Sequence, residues 1–285
     1  MSTNIPPALL ERVEAEAFFA VEEAAPSATR GALGMASLRI GGGVALAMRN
    51  DPTRFWSKVL GLGFEQPVTA ELIGEVCGFY RSHGAAYATL EIAPDVLPAD
   101  WPEICARLHL TQGGTLVKLA IDVDTAVARL DDSAQPAPRV SPEQVKPDQA
   151  LAWASVQVES FGMPRDGLAE MAAATVGQPN WYQVGVWADG YLVGAAAMYT
   201  FEGAAHMFGA GTLPNARRRG GQTAMLAARV RAAQAAGCRW IVGETSVEAP
   251  GEHNPSLHNM MRAGLEPCYE RRIWIWRDGD AGQEA

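Results

Sequence analysis

The chain has 285 residues, of which 48% are hydrophobic and 19% are charged, and its formal net charge at pH 7 is −9. This composition is typical of a globular protein with room for about two domains. The excess of acidic groups argues against general attraction to nucleic acid or to an anionic membrane surface. We therefore expect any basic site to be local.

The sequence carries no sign of a membrane or secreted protein. Uncharged segments of the C-terminal half, such as residues 203–216, are shorter than the ~20 apolar residues that span a bilayer. Residues 1–10 lack the basic and apolar regions of a secretory signal. The four cysteines have no Cys-x-x-Cys spacing of a zinc or redox site, which favours reduced thiols. We expect a cytoplasmic protein with no metal, no membrane and no nucleic-acid partner.

Apolar periodicity predicts helices and strands before a proline-rich break. The predicted helices are residues 69–80 and 101–108, and the predicted strands are 87–92 and 115–121. Gly41-Gly42-Gly43 has no helix after it, so it indicates a hairpin turn rather than a phosphate loop. Residues 131–149 then carry four prolines among polar residues without apolar periodicity, which is typical of a linker.

After the break the pattern indicates a hairpin-connected sheet, then a helix. Three successive antiparallel strands are predicted at residues 181–187, 191–200 and 205–212, with a turn at Asp189-Gly190. Helix-forming residues fill 220–236, and Gly237 follows where a helix end favours glycine. A strand at 240–245, a short helix at 254–263 and a strand at 269–276 complete the prediction.

The two halves repeat the same signals at a nearly constant spacing. A helix-ending glycine, a strand-opening aromatic residue and a strand-ending glutamate recur 153 residues apart, as Gly84 and Gly237, Tyr87 and Trp240, and Glu91 and Glu244. After an irregular connection the spacing becomes 155, which matches Arg107 with Arg262 and Leu110 with Leu265. Agreement in type, order and spacing predicts a duplicated α/β domain.

One turn places basic side chains and glycines at the start of a predicted helix. Arg217, Arg218 and Arg219 precede Gly220 and Gly221. A helix N-terminus carries about +0.5 charge and unpaired N–H groups, so arginines are unfavourable there unless an anion offsets them. The turn therefore predicts an anion site, with a solvated arginine turn as the alternative. The corresponding segment 64–69 has no glycine and one acidic side chain, so no second site is expected.

Residues 211–226 resemble the coenzyme A pyrophosphate loop of the GNAT acetyltransferase superfamily. That family's pattern is Gln/Arg-x-x-Gly-x-Gly/Ala after a strand and a proline. Arg217 and Gly220 match it, whereas Gln222 replaces the final glycine or alanine. Residues 254–265 are similar to the family's Asn-rich helix, which ends in Gly-Phe. The resemblance covers residues 147–276, and the first half resembles a degenerate copy.

The resemblance implies an α/β (α+β) fold of two tandem GNAT-like mixed sheets flanked by helices. It implies a degenerate domain at residues 1–130, a linker at 131–146 and an acetyl-CoA-binding domain at 147–285. The implied activity is that of an N-acetyltransferase that moves the acetyl group of acetyl-CoA to a primary amine of a small molecule. For the oligomeric state, a monomer and a homodimer are both left open. A longer acyl-CoA, or a catalytically silent CoA-binding sensor or interaction protein, are the alternatives.

The resemblance also implies which residues hold acetyl-CoA. Contacts with pantetheine and the phosphates are expected from the end of the strand, the turn and the helix after it, at Thr212, Leu213, Arg217, Arg218, Arg219, Gly220, Gly221, Gln222 and Thr223. The Asn-rich helix is expected to add Asn254, Leu257 and Asn259.

Three side chains are candidates for catalysis. Glu244, at the end of its strand, is the candidate base, although the equivalent Glu91 favours a structural role for both. His206 on the adjacent strand is a second candidate, with a satisfied structural histidine as its alternative. Many GNAT enzymes use a tyrosine as the acid at the position of Met260, which has no proton to give. Tyr269 is the nearest replacement, and packing at the domain rim is its alternative.

Overall fold

The computed structural model describes residues 5–132, 140–249 and 251–279. Two helices open the described chain, α1 (Pro7–Glu23) and α2 (Ser27–Leu33). They are followed by β1 (Met35–Ile40), β2 (Gly43–Met48), β3 (Lys58–Leu60), α3 (Ala70–Ser82), β4 (Tyr87–Glu91), α4 (Trp101–Arg107), β5 (Thr111–Asp122) and α5 (Val123–Asp132).

The second half starts with an edge strand and two helices, β6 (Ser141–Gln144), α6 (Ala150–Ser160) and α7 (Leu168–Ala173). The remaining elements are β7 (Trp181–Ala188), β8 (Tyr191–Phe201), β9 (Ala204–Thr212), α8 (Gly221–Ala235), β10 (Trp240–Ser246), α9 (Pro255–Arg262) and β11 (Glu266–Arg277). Among the described residues, no helix combines the length and apolar character needed to cross a bilayer.

The elements predicted from periodicity are confirmed to within a few residues. The hairpin turns are confirmed too, since Gly41 and Gly42 have φ of +60° and +81°, and Asp189 and Gly190 have +52° and +81°. Positive φ at both central residues matches the right-handed twist of the flanking strands. Helix α1 escaped prediction because Glu11, Glu14 and Glu22 lie on its buried side and interrupt the apolar pattern.

Part of the predicted linker is structured. Helix α5 continues to Asp132, and residues 133–139 lie outside the described residues. Residues 141–144 form β6, which is exposed and pairs with β7 alone. A proline in this strand is tolerated because an edge strand hydrogen-bonds on one side only. The domain boundaries stay a prediction.

All eleven strands form one mixed sheet in the order β1-β2-β3-β4-β11-β5-β10-β9-β8-β7-β6. The pairs β3–β4 and β9–β10 are parallel, and the other pairs are antiparallel. Each parallel pair is connected by a helix, α3 in the first half and α8 in the second. The glycines after these helices have nearly the same φ, +69° at Gly84 and +70° at Gly237. The strand sequence β1–β5 is thus repeated by β7–β11.

The last strand of each five-strand repeat lies beside the fourth strand of the other repeat. Strand β5 pairs with β10, and β11 pairs with β4. Strands β5 and β11 also pair with each other, which joins the halves into one continuous sheet. Side chains of both halves are therefore brought together at the middle of the sheet.

Candidate active site

A long cleft opens where β9 and β10 separate. The two strands pair in parallel only from Ala204 to His206 on β9, although β9 continues to Thr212 and β10 to Ser246. Beyond this point both strands line a cavity of about 1070 Å³. Backbone groups on the facing edges of the two strands are left available to a ligand.

A β-bulge in β9 lies where the strands separate. The pairing with β8 shifts register so that two residues of β9, Gly209 and Ala210, oppose a single residue of β8. Gly209 has φ of +41°, and its carbonyl accepts a hydrogen bond of 2.8 Å from Nε2 of Gln157. Because a bulge bends and twists its strand, it turns the end of β9 away from β10.

The basic turn forms one end of the cavity. Arg218 and Gly220 both have positive φ, +64° and +85°, and α8 begins at Gly221 without a side-chain cap. The N–H groups of the first helical turn have no intrahelical acceptor. The buried hydroxyl of Thr212 beside Gly221 also has no hydrogen-bond partner among the described residues. This corner therefore offers several unpaired donors and the positive end of a helix, which suits an anion.

The segment from Gly203 to Gly243 contains six arginines and no lysine, and these arginines divide into two groups. Three line the cavity, namely Arg217, Arg218 and Arg229. The other three have partners elsewhere: Arg219 reaches Asp189 at 3.4 Å, Arg231 pairs with Asp131, and Arg239 lies over the ring of Trp240. Arg229 is buried, and burial lowers the pKa of its guanidinium to about 10. Half of the six arginines in this segment therefore line the cavity.

The N-terminus of α3, the corresponding helix of the first half, is capped by a side chain. Thr69 caps α3, where its hydroxyl accepts a hydrogen bond of 3.2 Å from the N–H of Leu72. A side-chain oxygen at this position satisfies a donor that α8 leaves open. The two halves therefore differ in the feature on which anion binding depends.

Most of the residues predicted to hold the cosubstrate come together around the cavity. Those that line it are Thr212, Arg217, Arg218, Gly220, Gly221, Gln222, Thr223 and Asn259. Leu213, Arg219, Asn254 and Leu257 do not. The N–H of Leu213 is donated to the carbonyl of Val193, and Asn254 caps α9 by accepting from the N–H groups of Ser256 and Leu257.

Arg271 of β11 lies at the centre of a buried ion cluster under the cavity. Its guanidinium contacts four carboxyl groups at 2.5–2.9 Å, those of Glu11, Glu14, Glu91 and Glu244. Lys118 pairs with Glu14 and, at 3.2 Å, with Glu244, and Lys58 pairs with Glu91 at 3.0 Å. The cluster therefore holds four carboxyl groups and three cations. If all four carboxyls were ionised, the cluster would carry one excess negative charge.

Glu244 is the carboxyl group of the cluster that is most open to the cavity. Its side chain is 14% exposed, whereas those of Glu11, Glu14 and Glu91 are at most 3% exposed. Burial raises the pKa of Glu244 to about 8, with a further contribution from Glu14, although Arg271 and Lys118 oppose the shift. Burial acts in the same direction on Glu14, but Arg271 and Lys118 outweigh it and hold the pKa of Glu14 well below its usual value. Of these two carboxyl groups, Glu244 therefore binds a proton more readily than Glu14 does.

His206 lies at the inner end of the cleft and is neutral. Its side chain lines the cavity although the residue is only 4% exposed, and its Nδ1 atom has no hydrogen-bond partner among the described residues. Burial lowers the pKa of the imidazole to about 3, despite the nearby carboxylate of Glu14. His206 can therefore give or accept a hydrogen bond, but it holds a proton weakly.

Tyr269 does not line the cavity. Its hydroxyl donates a hydrogen bond of 2.6 Å to Glu11 of α1, and the ring packs beside Trp240 and Val242. Burial, followed by the charge of Glu11, raises the pKa of the phenol. Met260 lines the cavity instead, where its thioether has no proton to donate.

The first half of the chain supplies an aromatic wall to the cavity. Phe18 of α1 lies 5.9 Å from Phe55 and 6.0 Å from Trp56, measured between ring centroids, and 5.1 Å from Phe208 of β9. All four rings line the cavity. The indole N–H of Trp56 is buried without a hydrogen-bond partner among the described residues. The rings make this wall of the cavity largely apolar, and Nζ of Lys58 lies over two of them, 4.4 Å from the centroid of Phe18 and 4.0 Å from that of Phe55.

Several residues that line the cavity were not predicted from the sequence, because they belong to elements that are distant in the chain. Glu14, Phe18, Phe55 and Trp56 belong to a half that resembled only a degenerate copy, and Gln157 belongs to the unpredicted helix α6. The glutamates of α1 were the available signal, because a buried carboxylate in an apolar helix requires a partner. Nothing in the sequence pattern identified Arg271 as that partner.

No family model and no curated protein matches the chain. Solved structures do match it. A tandem GNAT protein from the clavulanic acid biosynthesis pathway is 17% identical, with a TM-score of 0.59 over 95% of this chain and 93% of its own. A GCN5-related N-acetyltransferase from Kribbella flavida is 18% identical, with a TM-score of 0.57 over 91% of this chain and 96% of its own.

A third structure, a GCN5-related N-acetyltransferase from Sphaerobacter thermophilus, is 17% identical, with a TM-score of 0.56 over 86% of this chain and 77% of its own. At this level of identity the likeness establishes the fold. The chain has the GNAT acetyltransferase fold in a tandem arrangement, and the predicted fold class is confirmed.

Proposed function

We propose that the chain is an N-acetyltransferase that transfers the acetyl group of acetyl-CoA to a primary amine of a small molecule. One observation carries the proposal. The open N-terminus of α8, with Arg217 and Arg218 beside it, faces the same cavity as Glu244. An anion site and a proton-accepting carboxylate that line one cleft are what a phosphate-bearing acetyl donor and an amine require.

The cavity fits coenzyme A by its donors and its shape. The first-turn N–H groups of α8 and the hydroxyl of Thr212 are unpaired within the described residues and would hold the pyrophosphate. The free edge of β9 after the bulge at Gly209 would hydrogen-bond the amide groups of pantetheine. A single site per chain is proposed, because Thr69 closes the equivalent helix end in the first half.

Glu244 is proposed as the general base. An amine must lose a proton to attack the thioester, and a base with a pKa of about 8 accepts that proton more readily than an ordinary carboxylate does. The proton can be retained, because a protonated Glu244 leaves three carboxylates facing three cations in the cluster. His206, with a pKa of about 3, is better suited to orient a water molecule or the acetyl oxygen by a hydrogen bond.

The acceptor is proposed to be an amine with an apolar or aromatic body. Phe18, Phe55 and Trp56 line the part of the cavity that the first half supplies. The ammonium group of such an amine would lie toward the carboxyl groups of Glu14 and Glu244, and its body would pack on the rings. A polyhydroxylated amine would lose its hydration there without gaining matching hydrogen bonds.

Release of CoA from acetyl-CoA, measured with a panel of amines, tests the proposal. We expect turnover with aryl-alkyl amines such as 2-phenylethylamine and little turnover with aminoglycosides. Turnover that needs a longer acyl donor would support the acyl-CoA alternative. Acetyl-CoA binding without turnover of any amine would contradict the proposed activity and support a silent sensor.

A further inference from the structure

Three side chains of types that bind metal ions lie close together at the start of α9. Glu248 and His253 belong to the loop between β10 and α9, and His258 is on α9 itself. Oε1 of Glu248 lies 2.9 Å from Nε2 of His258 and 3.5 Å from Nδ1 of His253. All three ligand atoms lie within 4.8 Å of one another. None of these side chains lines the cavity between β9 and β10.

These distances suit a tetrahedral metal ion. Ligand atoms bound at about 2.0–2.2 Å in a tetrahedral site are separated from each other by about 3.3 Å. The two measured separations lie on either side of that value. Two imidazoles and one carboxylate form a typical three-residue set for zinc, with the fourth position left to water. Cysteine spacing, on which the expectation of no metal rested, gives no information about a site made of histidines and a glutamate.

We propose that Glu248, His253 and His258 bind a divalent transition-metal ion of the Zn²⁺ class. The site is partly organised before an ion arrives, because Glu248 also accepts a hydrogen bond from the N–H of Asn254. Asn254 is itself fixed, since its Nδ2 donates to Ser246 at 2.7 Å and to Thr245 at 3.0 Å. The side chain of His253 is 69% exposed, which leaves a path for the ion.

A bound ion would clamp the loop against α9. The opposite side of this helix faces the cavity through Asn259 and Met260, so the metal would stabilise the wall of the cleft without entering it. Stabilisation follows from mass action, because the ligands converge only in the folded chain.

Calorimetric titration of untagged, chelator-treated protein with Zn²⁺ tests the proposal. We expect one ion per chain with a dissociation constant in the micromolar range or below, and at least a tenfold loss of affinity in each of H253A and H258A. His109 provides the matched control, because it is exposed and distant in sequence from the site. Its backbone has φ of +55°, which asparagine tolerates, so H109N should bind Zn²⁺ as the unchanged protein does.

Binding of Co²⁺ gives a readout of coordination. A tetrahedral site should give intense visible absorption with one equivalent, and this band should disappear in H253A. The proposal would be overturned by wild-type affinity for Zn²⁺ no greater than that of the H253A/H258A double variant. It would also be overturned if H109N lost as much affinity as H253A. Because His253 is largely exposed and its ring stacks only on His258 among the ring contacts of the described residues, H253A tests the site with little disturbance of the core.

Discussion

Replacement of Glu244 by glutamine should remove activity and at the same time stabilise the protein at high pH. Glutamine has nearly the shape of a protonated glutamate and cannot accept the proton of an amine. Loss of a general base lowers kcat by about 10²- to 10⁴-fold. The affinity for acetyl-CoA should change little, because the turn from Arg217 to Gly220, and not Glu244, is proposed to hold the phosphates.

The effect on stability follows from the raised pKa of Glu244. Its value is about 8 in the folded chain, against an ordinary value of 4.5. The folded state therefore binds this proton more tightly than the unfolded state does. Ionisation of Glu244 destabilises the fold progressively as the pH rises from about 4.5 to about 8, and the full cost is present above that. At about 1.4 kcal/mol for each pH unit of difference, this cost is at most about 5 kcal/mol.

The measurements are kcat and the melting temperature, each from pH 5 to pH 9.5. For the unchanged protein we expect kcat/KM to rise with pH and to level off above about 8, the value at which Glu244 ionises. E244Q should lack this rise. Its melting temperature should equal that of the unchanged protein near pH 5 and exceed it at pH 9.

Glu91 provides the matched control, because it occupies the equivalent place in the first half and contacts the same arginine at 2.8 Å. It does not line the cavity, and it pairs with Lys58. Removal of one partner of a buried pair costs about 3–5 kcal/mol, so E91Q should lose stability while the folded protein keeps most of its kcat. A near-normal kcat in E244Q, or a melting temperature below that of the unchanged protein at pH 9, would refute the reasoning about the base.

Three further predictions concern the cosubstrate and the acid. Calorimetry should show one acetyl-CoA site per chain. G220D should abolish binding, because it places a side chain and a negative charge against the phosphates. G177D is the control and should keep the site, because Gly177 also has positive φ but does not line the cavity. Coenzyme A should raise the melting temperature well above the effect of dephosphorylated pantetheine at matched saturation, and equal effects would exclude a role of Arg217 and Arg218 in binding phosphate. Y269F tests the predicted acid. Because the hydroxyl of Tyr269 donates to Glu11, we expect a near-normal kcat and a stability loss of about 1–3 kcal/mol. A fall in kcat of about 10²-fold would instead support a role of Tyr269 as the acid.

The sequence predicted the elements whose signal is local. The hairpin turn at Asp189-Gly190, the strands beside it and helix α8 depend on residues a few positions apart, and periodicity is enough to find them. The turn from Arg217 to Gly220 was also found, because basic residues at a helix start conflict with the helix dipole wherever they occur.

The ion cluster could not be predicted in the same way. Its members come from α1, β3, β4, β5, β10 and β11, and the contact between Glu11 and Arg271 joins residues 260 positions apart. Local pattern gives no information about which distant strands pair. The 153-residue spacing came nearest, because it placed Glu91 and Glu244 at equivalent positions, and both carboxyl groups contact Arg271.

The position of Arg271 connects the two halves of the chain at the proposed base. Strand β11 crosses to the first half and carries Arg271 between Glu91 of that half and Glu244 of the second. Helix α1 covers the same point and adds Glu14, whose ionised carboxylate helps to raise the pKa of Glu244. The pKa of the proposed base therefore depends on side chains of the first half as well as on those of the second. On the proposed function, the first half would contribute to catalysis by burying Glu244 and by placing the carboxyl groups of Glu14 and Glu91 beside it, rather than by contacts with the cosubstrate.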